Sequence, residues 1–189
     1  MELETNGKKY KVIYADPPWK YNNKPNKKGR SVECHYNTMD LVDICRIPVD
    51  KIADKNSVLL LWTTYPKIKD ALYLIDHWGF KYKTVAFTWV KENKNSDSVF
   101  WGLGNYTRSN AEICLLATKG SGVKRENADV HQVIISPIME HSKKPIEIKY
   151  RIDRLFGDVE RIELFAREQY GSWSHYGDEL SETIQKRLS

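Results

Sequence analysis

The stretch Val12-Ile13-Tyr14-Ala15-Asp16-Pro17-Pro18-Trp19 decides how the chain is read. A short apolar run with lysines before it and prolines after it predicts a buried strand that stops at Asp16. Pro17 and Pro18 offer no backbone donors and hold φ near −65°, so the chain leaves the sheet as a stiff, carbonyl-rich turn. In an open α/β sheet, ligands bind beyond the carboxyl ends of the strands, which is where this turn falls. A carboxylate, a proline carbonyl and an indole at one strand end make a polar cup with an aromatic wall. Such a cup suits a planar base with an exocyclic amine. Asp16 and the Pro17 carbonyl accept its two N–H protons, while Trp19 or Tyr21 stacks on the ring. The plainer alternative is a proline turn with Asp16 as a helix cap. The apolar strand before it and the lysine-rich loop after it favour the ligand reading.

That loop runs from Lys20 to Asn37 and carries Lys20, Lys24, Lys27, Lys28 and Arg30 with no acid among them up to Arg30. A loop of this length tethered to the turn is expected to serve the site. Thr38 is placed to cap a short helix reaching Arg46, with Asp40 in its first turn and Pro48 beyond it. Ser57–Thr63 reads as a second buried strand, apolar on both faces as parallel sheets require. Thr64 and Pro66 open a helix whose Ile68, Leu72 and Ile75 share a stripe and which ends at Gly79. Tyr82–Val90 is the next strand, so this strand–helix–strand unit predicts a right-handed crossover joining a parallel pair.

Residues 91–110 read as a second long loop. Its Gly102-x-Gly104 follows no strand and opens no helix, which excludes a dinucleotide fingerprint. Its aromatics and Arg108 suit a base or a phosphate, and an ordinary surface loop is the equal alternative. Strands follow at Glu112–Thr118 and Val130–Ser136. A helix after Pro145 gathers Ile148, Ile152, Leu155 and Phe156 on one face. Val159–Ala166 is the last strand, followed by Arg167 and a polar, aromatic tail from Gly171 to Leu180. No repeat or linker divides the chain, so residues 1–189 are read as one domain.

The 189 residues suffice for one domain with a sizeable core. No apolar run approaches a membrane span, and the N-terminus has no secretory apolar region, so a cytoplasmic place is expected, or a nuclear one in a eukaryote. Cys34, Cys45 and Cys114 lack any C-x-x-C spacing, which argues against a metal site or a disulfide framework. A net charge of +5 points weakly to nucleic acid. Six Trp and eleven Tyr are many for this length, and several fall in loops, where stacking is open to them.

Seven short motifs then appear in a fixed order. They are Asp16-Pro17-Pro18-Trp19, Tyr36-x-Thr38-Met39, Leu60-Leu61-Trp62-Thr63, Trp89-Val90-Lys91, Glu112-x-Cys114-Leu115, Ser142-Lys143-Lys144-Pro145 and Glu163-Leu164-Phe165-Ala166-Arg167. Together they resemble the adenine-N6 methyltransferase family named after the seventy-kilodalton subunit of the mRNA adenosine methyltransferase, over about residues 11–180. The resemblance implies an α/β, Rossmann-like, circularly permuted fold that uses S-adenosylmethionine, with Asp16 and Arg167 meeting at neighbouring strand ends. It implies that Asp16, Pro17, Pro18 and Trp19 form the catalytic motif. It also implies that Asp16, Ser142, Lys144, Phe165 and Arg167 line the cofactor site, with Asp178 and Glu179 of the tail beside the ribose. Asp178 stands where the family often has Asn, and Gln169-Tyr170 replaces a His-Asn pair. Tyr21, Lys24, Lys27, Lys28, Arg30, Tyr36, Tyr106 and Arg108 are expected to touch nucleic acid.

The implied reaction is methylation of adenine N6, DNA slightly ahead of RNA because the compact chain resembles microbial and phage members. Two alternatives stay open. One is a non-catalytic nucleic-acid-binding partner in a heteromer, a role in which the tetrapeptide is characteristically lost. The other is methylation of a different amine, such as cytosine N4. Homo- or hetero-oligomers are both compatible with these residues.

Overall fold

The computed structural model describes residues 7–21, 38–102, 104, 106–139 and 143–177. Its centre is a mixed sheet built on β1 (Tyr10–Ala15), with β2 (Ala53–Thr63) on one side and β7 (Arg161–Leu164) on the other, both parallel to it. The strands lie in the order β4-β3-β5-β2-β1-β7-β8, where β3 is Lys81–Asn93, β4 Ser96–Val99, β5 Ala111–Lys119 and β8 Ser174–Tyr176. A further strand, β6 (Val133–Pro137), pairs parallel with β3.

Alternation along the strands sorts the core into two layers. Ile13, Ala15, Leu59, Leu61, Ile113 and Leu115 pack against α1 (Leu41–Cys45), α2 (Val49–Ile52) and α3 (Ile68–His77). Val12, Tyr14, Leu60, Trp62, Phe87 and Trp89 pack on the opposite face, against Ile148, Ile152 and Phe156 of α4 (Glu147–Phe156) and against Trp173. The result is helices on both faces of one sheet, which buries the apolar face of every layer.

The expected parallel pairing of Ser57–Thr63 with Tyr82–Val90 is not what forms. β5 lies between them and runs antiparallel to both, from Ser57↔Lys119 to Thr63↔Ile113 on one side and Lys81↔Thr118 to Val90↔Ala111 on the other. The reason is burial. β5 hides Ile113, Cys114, Leu115 and Ala117 and so takes an interior slot, while the first four residues of β3 are exposed and tolerate a place farther out. α3 still crosses over the sheet, but it skips one strand.

Other boundaries shift for local reasons. The segment expected as a loop from residue 91 holds the end of β3 and all of β4, joined by a two-residue turn. The short helix begins at Leu41 with Asp40 at its cap position, not Thr38, and Asp43 supplies its first-turn acid. The last strand ends at Leu164 because Phe165 turns into positive φ (62°). β8 rises unexpectedly from the polar tail. The helix stop at Gly79 holds, with φ +79° in a conformation that side chains resist.

The core contains one hydrogen bond on which much packing rests. The Trp62 indole N–H donates to the Tyr14 hydroxyl at 2.8 Å, with both rings buried. Tyr14→Phe keeps the ring volume and orphans that donor. The variant is expected to lose about 1–3 kcal/mol of stability in a urea titration.

Candidate active site

Asp16 is the first residue past β1, where β7 also stops, since Ala15 pairs with Leu164 on that side and on the other with Leu61, two residues before β2 ends. The turn that follows is knotted. The Trp19 amide donates to the Pro17 carbonyl (2.8 Å), and the Met39 amide donates to the Pro18 carbonyl (2.8 Å). The Pro17 oxygen therefore already holds one donor, and its second lone pair is what a ligand can use. Trp19 is buried, and its indole N–H is given to the Trp62 carbonyl at 3.0 Å, so it walls the cup as a fixed surface. Tyr21 stands nearer the mouth, its hydroxyl 2.6 Å from Thr64 Oγ1.

Behind Asp16 runs a row of alternating charges, buried at Glu112 and half-buried at the other members. Lys144 Nζ donates to Asp16 Oδ2 at 2.7 Å and lies 3.2 Å from Glu112 Oε2, and Lys91 pairs with Glu112 Oε1. Both lysines also sit over indoles, Lys144 over Trp62 at 5.3 Å and Lys91 over Trp89 at 5.0 Å. Burial pushes the Asp16 carboxyl above its ordinary value and the Glu112 charge adds to this, with Lys144 and Arg167 pulling partly back. Burial works against the Glu112 charge as well, yet Lys144 and Lys91 together hold that carboxyl below its usual range. Burial opposes the Lys144 charge too, but Asp16 and Glu112 raise its affinity for a proton well beyond that of a free lysine.

Two clefts open on this row. The first, about 360 Å³, is lined by Asp16, Pro17, Pro18, Trp19, Tyr21 and Thr63 among others. The second, about 550 Å³, lies on the side of β7 and is lined by Tyr14, Lys149, Glu163, Phe165 and Glu168. Asp16, Lys144 and Arg167 belong to both. On the floor of the second cleft Lys149 pairs with Glu163 at 2.6 Å. Phe165 enters its lining from a left-handed backbone conformation that a non-glycine residue adopts only under strain.

The turn residues, Lys144, Phe165 and Arg167 thus meet where the motifs put them, and Asp16 and Arg167 do lie at neighbouring strand ends. Tyr106 and Arg108 are exposed on the loop before β5 and line neither cleft. Lys24, Lys27, Lys28, Arg30, Tyr36, Ser142, Asp178 and Glu179 lie outside the described residues. Sequence reasoning gave no role to Glu112, Lys91, Lys149 or Glu163. A signal was present, since Glu112 and Glu163 are carboxylates inside strands otherwise apolar enough to be buried. Among the described residues no cluster of His, Cys, Asp or Glu could hold a metal ion. Burial also lifts the Cys114 thiol well above its ordinary value, so it is no thiolate nucleophile.

Fold and site together define a three-layer α/β enzyme in which two clefts share one carboxylate at the strand ends. The MT-A70 family model matches residues 10–179, and the chain belongs to that family of methyltransferases. It is 33% identical to the type II methyltransferase M.MunI of a Mycoplasma species, over 92% of this chain and 78% of that protein. It is 30% identical to the human N(6)-adenine-specific methyltransferase METTL4 and 27% identical to the human N(6)-adenosine-methyltransferase catalytic subunit METTL3. The chain spans 38% and 28% of those two proteins. No helix among the described residues is long and apolar enough to cross a membrane.

The charge row makes a prediction. Glu112→Gln keeps the shape but leaves two buried ammonium groups short of a counter-charge, and breaking such a pair costs roughly 3 kcal/mol. A carboxyl held below its usual range stabilises the fold above its unfolded value and stops doing so as pH falls through the folded one. The stability gap between wild type and Glu112→Gln should therefore be full at neutral pH and close on acidification, as read by urea titrations across pH.

Proposed function

We propose that the protein transfers a methyl group from S-adenosylmethionine to the N6 amine of adenine in nucleic acid, with DNA ahead of RNA. The observation that carries this reading is the pairing of the Asp16 carboxylate with the Pro17 carbonyl at a strand end, beside an aromatic wall. The second cleft fits the methyl donor chemically. Its amino-acid end carries an ammonium and a carboxylate, and the lining offers both signs, with Asp16 and Glu163 against Lys144 and Arg167. Phe165 and Ile146 add apolar surface. When bound, the donor supplies an electrophilic sulfonium methyl.

The protein's task is then to make a poor nucleophile reactive. The lone pair of an aromatic amine is delocalised into its ring. Accepting one N–H at the Asp16 carboxylate and the other at the free lone pair of Pro17 draws that nitrogen towards a tetrahedral shape and localises the pair. Trp19, held by its bond to Trp62, fixes the plane in which the base lies. Positioning supplies the rest of the acceleration. The methylated nitrogen must shed a proton, and Asp16, whose carboxyl burial has made more basic, is the group that takes it.

Asp16→Asn keeps the volume and one neutral amide oxygen but removes the negative charge and the oxygen basic enough to take a proton. It is expected to lower methyl transfer by roughly 10²- to 10³-fold with cofactor affinity changed far less. In the wild type the ionised carboxylate is required, so turnover should climb with pH along an acid limb lying above that of a free aspartate, and this limb should vanish in Asp16→Asn. The assay uses labelled S-adenosylmethionine with DNA and RNA oligomers and identifies the product nucleoside by mass spectrometry. A methylcytosine or an unmodified pool overturns the assignment.

Arg167→Ala separates the clefts. Arg167 lines both, and on the cofactor assignment calorimetry should show the cofactor dissociation constant rising several-fold more than that for an oligonucleotide. A larger effect on the oligonucleotide would place it on the nucleic acid instead.

A further inference from the structure

The loop between β4 and β5 displays large aromatics to solvent at the same end of the sheet as Asp16. Trp101 is 70% exposed and Tyr106 is fully exposed, and Arg108 close by is exposed as well. Leaving a tryptophan this bare forfeits stabilisation that its burial would supply, so its position asks for a ligand.

The neck of the loop is built. The chain leaves at Phe100, whose amide donates to the Lys91 carbonyl (2.8 Å), and returns at Asn110, whose carbonyl accepts from the Lys91 amide (2.9 Å). Both sides of the neck are thus tied to the backbone of Lys91, whose side chain pairs with Glu112 in the cleft wall. Next to Trp101, the Gly102 amide donates to the Ser109 carbonyl at 2.9 Å. A side chain at Gly102 is barred, since a Cβ there would lie 2.2 Å from that carbonyl oxygen. The crossing holds Trp101 in register with Ser109 and Asn110, and through Lys91 with the catalytic end.

Neither aromatic lines either cleft, so neither is placed to touch the reacting base itself. We infer that Trp101 and Tyr106 stack on the nucleobases flanking the target nucleotide and hold the strand while the target base occupies the Asp16 cleft. This inference rests on the proposed function and extends it from the reacting base to its neighbours. An exposed π face accepts any base, which makes the contact tolerant of sequence, and the Arg108 guanidinium complements the phosphate beside a stacked base.

The test measures binding of 20-nucleotide DNA and RNA oligomers with a central adenine, single-stranded and duplex, by fluorescence anisotropy at fixed salt. Trp101→Ala is expected to weaken binding roughly 5- to 100-fold, with Trp101→Phe retaining most of the affinity. The cofactor dissociation constant and the salt dependence of binding should stay the same, because stacking neutralises no phosphate. The decisive arm replaces the nucleotide next to the central adenine with an abasic site. The wild type should then lose about as much as Trp101→Ala loses on intact strands, and the variant should lose little more. Additive losses, or a variant that turns a dimer into a monomer in sedimentation, overturn the inference. Product analysis on the same oligomers keeps the two readings apart. Methyladenine formed without coupling sinks only the stacking, and coupling without methyladenine sinks only the reaction.

Discussion

Everything at the Asp16 end of the sheet depends on charge that has been drawn out of water and balanced in place. Asp16, Lys144, Glu112 and Lys91 alternate in sign along a largely desolvated row, and each inner member touches a partner on either side. Any one of these groups alone at that depth would neutralise itself. As a row their opposite signs balance, at the cost that none can move without exposing its neighbour. The indoles of Trp62 and Trp89 line the same row and receive the ammonium groups on their faces. The site is therefore part of the core, and its aromatic neighbours also carry the packing of the sheet.

Much of this was legible in the sequence, and the rest was hidden for identifiable reasons. The strand ending at Asp16 could be read because a buried strand and a proline turn are both local signals. So could the helix bearing Ile148 and Ile152, which placed Lys144 just before it. The insertion of β5 between β2 and β3 could not, because strand order follows from which faces compete best for burial, and local pattern says only that both strands are apolar. Glu112 went unassigned for the same cause. Its role exists only once β5 runs antiparallel and delivers its first residues to the end of the sheet where β1 and β2 finish. The left-handed turn at Phe165 carries no sequence signal, since phenylalanine is not a residue that favours it.

The mixed sheet has a further effect on the layout. A parallel neighbour to β2 would bring a helix crossover to the Asp16 end, whereas antiparallel β5 brings the hairpin of β3 and β4 and the connection between Phe100 and Asn110. One reversed strand thus replaces a helix with an extended, aromatic rim. The rim is joined to the charge row through Lys91, which belongs to both the sheet ladder and the ion pair with Glu112.

Asp16, Lys144 and Arg167 border both clefts, and that overlap governs how the two occupants sense each other. A molecule that draws Lys144 away from Asp16 changes the charge its neighbour meets a few ångströms off. By thermodynamic reciprocity, whatever factor the donor imposes on affinity for the base, the base imposes on affinity for the donor. The spent donor differs from the fresh one by a methyl group and a positive charge at the sulfur. On the proposed reading that charge is lost beside the Asp16 carboxylate, next to the modified amine, and the Asp16–Lys144 salt bridge is the contact through which each occupant meets the other.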